Sequence, residues 1–389
     1  MLWTMQNRPP LIEKRLEPND SPLVIGGITV ASIALAMFLG GLLLLPFKVN
    51  PVLAYLSMFQ QSFGNLKGIG FTLVEATPLI FIALGTIIAW KTGFFYLGFE
   101  GTILIGASVA AWVALWTNPG GLTGPLPPVL FFPLVFLITF VIGGLWVAFV
   151  GFLKARFGGN EVIVSLMLNY VAVFLVNYLV SGPLRAPGDL PQTARIPDAT
   201  ILPFIIPGTR AHVGILVAIA AAIMVWLLLR KTILGYELIV SGLSPRSARY
   251  GGINVGNRQI MAAFLAGGVS ALAGLVAVLG VQFRLMDGIS QGTGFVGIVV
   301  ALLGKLNPLG AIVAAILYAG LSVGADAMQR QMGIPSSVIT IVQFMIVLFI
   351  LAGDFLRYYR INLYTLARQR TKPQPDQSAP GETRSNDGN

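Results

Sequence analysis

The stretch MAAFLAGGVSALAGLVAVLGV, residues 261–281, contains no charged residue. A helix of about 20 apolar residues is long enough to cross the hydrocarbon core of a bilayer, which is ~30 Å thick. Its glycines and alanines are typical of membrane helices, because small side chains allow close helix packing. The stretch therefore predicts a tightly packed membrane-spanning helix.

The composition extends this interpretation to the whole chain of 389 residues. Hydrophobic residues make up 56% of it and charged residues only 10%, against roughly 25% in soluble domains. The absence of cysteine excludes disulfides and thiolate chemistry, and the single histidine, His212, cannot form a histidine metal cluster. The net charge of +10 is better explained by basic cytoplasmic loops than by nucleic acid, so we expect no nucleic-acid partner.

The apolar runs predict an all-α, polytopic helical bundle with about ten membrane segments. The eighth segment is too short to span alone, and a half helix closed by the turn at Asn307 and Pro308 is expected there. The ten predicted segments are 24–45, 71–90, 98–116, 129–152, 162–181, 212–229, 259–281, 294–304, 308–325 and 336–353.

The distribution of Lys and Arg predicts the orientation. With both termini in the cytoplasm, 18 of the 25 basic residues lie on the cytoplasmic side. The predicted organisation comprises a cytoplasmic segment 1–23, a transmembrane domain 24–353 and a cytoplasmic tail 354–389, disordered from about 371. Within the transmembrane domain, 182–211 forms an irregular external loop and 230–258 a cytoplasmic loop.

The cytoplasmic loop contains SGLSPRSARYGGINVGNR, residues 241–258. Ser244 is a good N-cap, Pro245 suits the first helical position, and Gly251 with Gly252 can end a helix. The sequence thus predicts a short surface helix over PRSARY. Two interpretations remain open from the residues alone, namely a basic loop that fixes topology and a docking helix for a cytosolic partner.

Five stretches, read together, resemble the permease subunits of bacterial ABC importers for simple sugars and nucleosides. NEVIVSLMLNY, followed by a GPLR-type loop, is most similar to the nucleoside branch. Glu75 departs from the basic or neutral residue expected just before Ala76 in that family. The stretches are LVEATPLIFIALG (73–85), KTGFFYLGFEGTILIGA (91–107), RFGGNEVIVSLMLNYVAVFLVNYLVSGPLR (156–185), TILGYELIVSGLSPRSARYGGI (232–253) and GFVGIVVALLGKLNPLGAIVAAILYAGLSVGADAMQ (294–329).

The resemblance implies a bacterial inner-membrane protein whose residues 244–250 form a coupling helix for a cytosolic ABC ATPase. The coupling residues would be Ser244, Pro245, Arg246, Ala248, Arg249 and Tyr250. It also implies an extracytoplasmic solute-binding lipoprotein, a small-molecule solute and a second, non-identical permease subunit, with membrane lipid as a further partner. The chain has no phosphate-binding GxxxxGK[ST] loop, so no cofactor is expected in it and ATP would bind the partner ATPase.

Glycine-interrupted segments begin corresponding spans in two halves of opposite topology, at 92–102 and 287–298. Such paired broken helices are the best sequence indicator of a translocation path. Glu100, a carboxylate starting an apolar run, either lines this path or favours a helix N-terminus. Amides and aromatic rings suit a nucleoside, but they also serve helix packing. The candidate path residues are Phe99, Glu100, Asn169, Asn177, Thr293 and Phe295.

Two other functional classes are weaker alternatives. A secondary transporter driven by an ion gradient would need ionisable groups in its spans, and Glu75 and Glu100 are the available ones. A membrane enzyme would need paired carboxylates, a metal cluster or a nucleophile with its base, and the sequence shows none of these. We therefore expect a transport subunit and not an enzyme.

The predicted orientation can be tested by cysteine labelling, because the natural sequence contains no cysteine. A single cysteine replacing Ser378 is expected to react with a membrane-impermeant maleimide only in inside-out vesicles, since the charged reagent does not cross the bilayer. Labelling of the same variant in intact cells would contradict a cytoplasmic C-terminus.

Overall fold

The computed structural model describes residues 12–14, 22–116 and 127–361. The chain divides into two compact units, 1–36 with 348–389 and 37–347. In the first unit, strands β1 (Ile12–Lys14) and β2 (Tyr359–Ile361) pair antiparallel, with Ile12 opposite Ile361. The predicted disordered tail from 371 lies outside the described residues.

Thirteen α-helices make up almost all of the remaining described structure, which confirms the predicted polytopic helical bundle. They are α1 (Pro22–Leu44), α2 (Pro51–Phe63), α3 (Leu66–Lys91), α4 (Phe99–Trp116), α5 (Pro128–Phe157), α6 (Glu161–Ser181), α7 (Gly214–Lys231), α8 (Ile233–Leu243), α9 (Pro245–Tyr250), α10 (Val255–Val276), α11 (Thr293–Leu303), α12 (Pro308–Met332) and α13 (Ser336–Tyr358).

The predicted count of ten membrane segments is not confirmed. Seven of the described helices are long and apolar enough to cross a bilayer, namely α3 to α7, α10 with its continuation to Gln282, and α12. An eighth span is obtained if Ala34–Phe47 and Pro51–Phe63, which are bent by 110°, count as one.

Helices α2 and α8 were not anticipated from the sequence. The short α11 confirms the expected half helix, and Asn307 caps α12 at Pro308 as the turn signal indicated.

Helix α10, which contains the 261–281 stretch, packs against α3, α4 and α5. The contact with α4 has almost no room for side chains, because a Cβ at Gly106 would overlap the carbonyl of Ala271 and one at Gly274 would overlap that of Ile103. Backbones in direct contact gain dispersion energy, which replaces the hydrophobic effect as the driving force for helix packing in lipid.

A π-helical turn, residues 277–282, ends α10, and Phe283 follows in the left-handed conformation. A π-turn leaves carbonyls without their usual helical donors. The irregular 182–211 segment supplies some of the missing donors: the Leu202 N–H bonds to Leu279 O, and the Ile196 N–H bonds to Phe283 O. The predicted irregular loop is therefore joined to the end of α10 by backbone hydrogen bonds.

His212 lies at the end of this loop, just before α7, and is buried. Its Nδ1 accepts a hydrogen bond from the Gly214 N–H at 3.1 Å, so the neutral ring carries its proton on Nε2. Among the described residues, no acceptor pairs with Nε2. Burial lowers the pKa of His212 to about 4.

Acid is therefore expected to destabilise the fold through His212. The pKa is about 4 in the folded chain against about 6.5 for an exposed histidine, so mainly the unfolded state gains the proton as the pH falls from 7 to 5. Between pH 7 and 5 this linkage costs about 2 kcal/mol. The measurement is the apparent melting temperature of the purified subunit against pH.

The control variant is His212→Asn, whose amide oxygen can accept the Gly214 N–H but does not titrate. It should lose less stability than the wild type between pH 7 and 5. Identical pH profiles for the two proteins would show that His212 does not contribute to acid sensitivity.

Candidate functional site

Two helix N-termini meet inside the bundle, those of α4 and α11. Glu100, the second residue of α4, accepts hydrogen bonds from two backbone N–H groups at the start of α11. Its Oε1 is 2.8 Å from the Gly292 nitrogen and its Oε2 is 2.8 Å from the Gly294 nitrogen. A Cβ on Gly294 would overlap the backbone of Glu100, so glycine is needed for this approach. The carboxylate thus stabilises the positive end of the neighbouring helix.

The start of α4 is fixed by α6. Asn169 Oδ1 accepts a hydrogen bond from the Gly101 N–H at 2.8 Å, and its amide nitrogen donates to the Leu97 carbonyl at 3.4 Å. One turn earlier in α6, the Ser165 hydroxyl accepts from the Leu97 N–H at 3.1 Å. Asn169 therefore anchors the turn before α4, the helix-to-helix role that the sequence left open for it. The structure thus brings Glu100, Asn169 and Thr293 together around the two helix starts.

The aromatic candidates divide into core and exposed residues. Phe99 is fully buried, with its ring edge-on to Tyr96 at a centroid distance of 4.9 Å, and it packs in the core. Phe295, in the first turn of α11, is 47% exposed, and Phe95, in the segment before α4, is 50% exposed. Of these aromatic residues, only Phe95 and Phe295 have ring surface available to a solute.

The remaining path candidates lie near the start of α11. The Asn177 amide on α6 donates to the Asp287 carboxylate at 3.3 Å, and the Thr293 hydroxyl donates to the Ser290 carbonyl. Both pairs involve the irregular segment 283–292 that connects α10 to α11. They hold this segment, and Asn177 and Thr293 remain partly exposed.

A cavity of about 100 Å³ lies beside α11, between α3 and the end of α10. Its polar lining residues include Glu75, which sequence reasoning singled out without placing it among the path residues. The signal was available, since a lone carboxylate in an apolar run is costly and usually functional. The cavity is lined by Val74, Glu75, Pro78, Ile103, Ala273, Val276, Ala277, Val281, Gln282, Ile289, Ser290, Gln291 and Thr293.

The predicted surface helix is present as α9. The Ser244 hydroxyl caps it by accepting the Ser247 N–H at 3.3 Å, Pro245 is its first residue, and it ends at Gly251. The predicted coupling residues differ in exposure. Arg246, Arg249 and Tyr250 are exposed, whereas Ala248 is buried on the side of α9 that packs against the rest of the protein.

Helix α8 lies between α9 and the end of α3. A Cβ on Gly242, near the end of α8, would overlap backbone atoms of Lys91 and Thr92, so the two backbones are in direct contact. Residues 92–98 lead from there into α4. The Lys154–Glu161 ion pair also binds this segment. Lys154 donates a hydrogen bond to the Gly93 carbonyl at 3.0 Å, and Glu161 accepts one from the Phe95 N–H at 3.4 Å. Residues 91–95 are thus in contact both with α8 and with the Lys154–Glu161 pair.

An open groove of about 910 Å³ separates α9 from the turn between α5 and α6. Arg249 lines it on the α9 side, and Asn160 lines it on the opposite side. A second ion pair, between Arg258 and Glu237 at 2.7 Å, joins α10 to α8 beside this region. The groove leaves one flank of α9 accessible to another protein.

Comparison with known proteins gives consistent matches over most of the chain. Residues 68–351 match the family described as branched-chain amino acid transport system / permease component. The chain is 33% identical over 365 residues to the glucose ABC transporter permease protein TsgB13 of Haloferax volcanii, covering 90% of this chain and 94% of the relative. It is 33% identical over 337 residues to the guanosine ABC transporter permease protein NupP of Bacillus subtilis, covering 85% and 94%.

A third relative is the nucleoside ABC transporter permease protein NupB of Lactococcus lactis, with 31% identity over 333 residues, which cover 83% of this chain and 90% of the relative. No solved structure matches the chain.

Replacing Glu100 by Gln is expected to weaken the junction of α4 and α11. The amide keeps one acceptor oxygen but turns an NH2 group toward the second N–H, so a charge-assisted hydrogen bond is lost, which costs about 2 kcal/mol. The measurement is the thermal stability of the purified subunit. The matched control is Asp198→Asn, which removes an exposed ion pair with Arg195 and should change stability by less than about 0.5 kcal/mol. Equal effects of the two changes would contradict a structural role for Glu100.

Proposed function

The chain belongs to the family of branched-chain amino acid transport system permease components, and we propose that the solute it carries is a nucleoside or a related sugar-containing molecule. It is a permease subunit of an ABC transporter, a transport subunit rather than an enzyme, and it works with a partner ATPase and a substrate-binding protein. The family assignment supports the predicted importer over the ion-gradient-driven alternative.

The solute class rests on the relatives. Three relatives are named for glucose, guanosine and nucleoside transport, so two of these three carry nucleosides by name. Glucose and the nucleosides share a ring sugar with neighbouring hydroxyl groups. The resemblance of residues 160–185 to the nucleoside branch supports the same assignment, so a nucleoside is the favoured solute.

We place the translocation path at the junction of α4 and α11. Broken helices that meet in the interior are the usual site of solute passage in transporters. Glu100, Asn169 and Thr293 shape this junction through their hydrogen bonds, and Phe295 offers an exposed ring on which a base can stack. Asn177 holds the segment before α11, and Phe99 supports the path from the core.

The direct backbone contact between Gly242 and residues 91–92 carries the proposed mechanism. Helix α9, with exposed Arg246, Arg249 and Tyr250, docks the ATPase, and Ser244 with Pro245 fixes where it begins. A movement of α9 passes to α8, across the Gly242 contact to residues 92–98, and so to the N-terminus of α4. The path is thereby coupled to ATP hydrolysis on another chain.

Three features complete the proposal. Both termini are cytoplasmic, as the distribution of Lys and Arg indicates. The second permease is a different chain, as the resemblance to the nucleoside branch implies. Bilayer lipid surrounds the exposed apolar side chains of α5 and α6. ATPase bound at α9 would also fix the cytoplasmic side of the subunit.

The docking role of α9 is tested by Tyr250→Ala. Tyr250 is 95% exposed, and large aromatic side chains often contribute most to the affinity of an interface. The change should reduce co-purification of the ATPase and solute-stimulated ATP hydrolysis by about tenfold, equivalent to ~1.4 kcal/mol.

The matched control is Tyr178→Ala, which removes the same kind of ring, 67% exposed, near the end of α6 remote from α9. This variant should retain ATPase binding. Wild-type binding and hydrolysis with Tyr250→Ala would instead make α9 a simple topological loop.

A further inference from the structure

The cavity between α3, α11 and the π-helical end of α10 contains a carboxylate without a partner. Glu75 lines this cavity, and no hydrogen bond or ion pair engages its side chain within the described part of the chain. Glu100, in contrast, has an N–H donor on each oxygen. The Glu75 side chain is exposed, so a solute can reach its free acceptor oxygens.

A second acceptor lies beside it. Pro78 is inside α3 and has no N–H to donate to the carbonyl of Val74, one turn earlier. Val74, Glu75 and Pro78 all line the cavity. The α3 wall therefore combines a carboxylate with a carbonyl that lacks its helical donor, which suits a ligand that donates hydrogen bonds.

The size of the cavity limits what it can hold. At about 100 Å³ it is well below the ~300–1,000 Å³ of pockets that enclose a whole ligand, and it has room for only a few water-sized groups. Asp326 on α12 interacts electrostatically with Glu75, which adds negative potential. A phosphate group would be repelled, and a base with two fused rings would not fit.

We propose that this cavity is a subsite for the neighbouring hydroxyl groups of the solute's sugar, with Glu75 as the acceptor that determines specificity. The proposal rests on the proposed function, because it assigns one part of the same solute. Ser290 and Gln282 line the opposite wall and provide polar partners for the hydroxyl oxygens. The base is left to the more open surface near Phe295.

The test combines Glu75→Gln with removal of the solute hydroxyls. The complex of this subunit with its ATPase, partner permease and solute-binding protein is reconstituted in proteoliposomes. Uptake is measured for adenosine, guanosine, cytidine and uridine, and for the 2′,3′-dideoxy form of each. Wild-type kcat/KM should fall by about tenfold or more when the hydroxyls are absent, because a polar subsite is then left unpaired.

In the Glu75→Gln complex the ribonucleosides should also lose about tenfold, mainly through KM, while the dideoxy forms lose less than about threefold. If Glu75 contacts the hydroxyl groups directly, the effects of Glu75→Gln and of hydroxyl removal will not add. The solute-binding protein has its own selectivity, but the wild-type and variant complexes both contain it, so it does not affect this comparison. Asp198→Asn, in the exposed ion pair with Arg195, is the matched control and should keep the wild-type preference.

Each other outcome has a distinct meaning. Additive losses would overturn the subsite while leaving the proposed function intact. Inosine tests the base: if Glu75→Gln abolishes a preference for guanosine over inosine but keeps the preference for hydroxyls, Glu75 binds the base edge and the proposal is wrong. If the wild-type complex takes up no ribonucleoside and no glucose, the proposed solute class fails, and the subsite fails with it.

Discussion

The carboxylate of Glu100, placed at the start of one helix and bound to the N-terminus of another, is the interaction on which the rest of the structure depends. In a bilayer interior every backbone donor must be satisfied by the protein itself. Two helices that begin inside the bundle have first N–H groups without acceptors in their own helix, so other segments must supply them. Glu100 accepts hydrogen bonds from N–H groups at the start of α11, and Asn169 accepts one from the start of α4. Broken helices can persist here because their ends are capped by other segments of the chain.

The same junction explains why the neighbouring residues are polar or small. Gly294 allows the α4 backbone to approach α11 closely. The first N–H groups of a helix have no acceptor within that helix, and Ser165 and Asn169 on α6 accept hydrogen bonds from N–H groups at the start of α4 and just before it. Several candidate path residues thus form hydrogen bonds that hold the helix starts, and the proposed solute contacts fall on the exposed Phe295 ring and the Glu75 cavity.

Direct backbone contact joins α8 to the segment that leads into α4. Because Gly242 has no side chain, the α8 backbone contacts residues 91–92 directly. The Lys154–Glu161 pair forms hydrogen bonds with the backbone of Gly93 and Phe95 nearby. Backbones packed without intervening side chains cannot slide far without a clash, because packed interiors yield little to deformation. A rigid contact of this kind is what the proposed coupling between α9 and the start of α4 requires.

Sequence alone determined the helical membrane class, most of the spans, the half helix α11 and the boundaries of α9, because these depend on local hydrophobicity and on capping residues. It did not predict α2 or α8. Helix α2 contains polar residues in its last turns, and α8 is only eleven residues long, so neither produces a full-length apolar run.

The partners of Glu100 lie nearly 200 residues away in the chain, and those of Asn169 nearly 70. Only the tertiary structure decided whether these polar residues are capped or free, and whether His212 and Ala248 are buried, because hydrogen-bond partners and burial depend on which helices pack together.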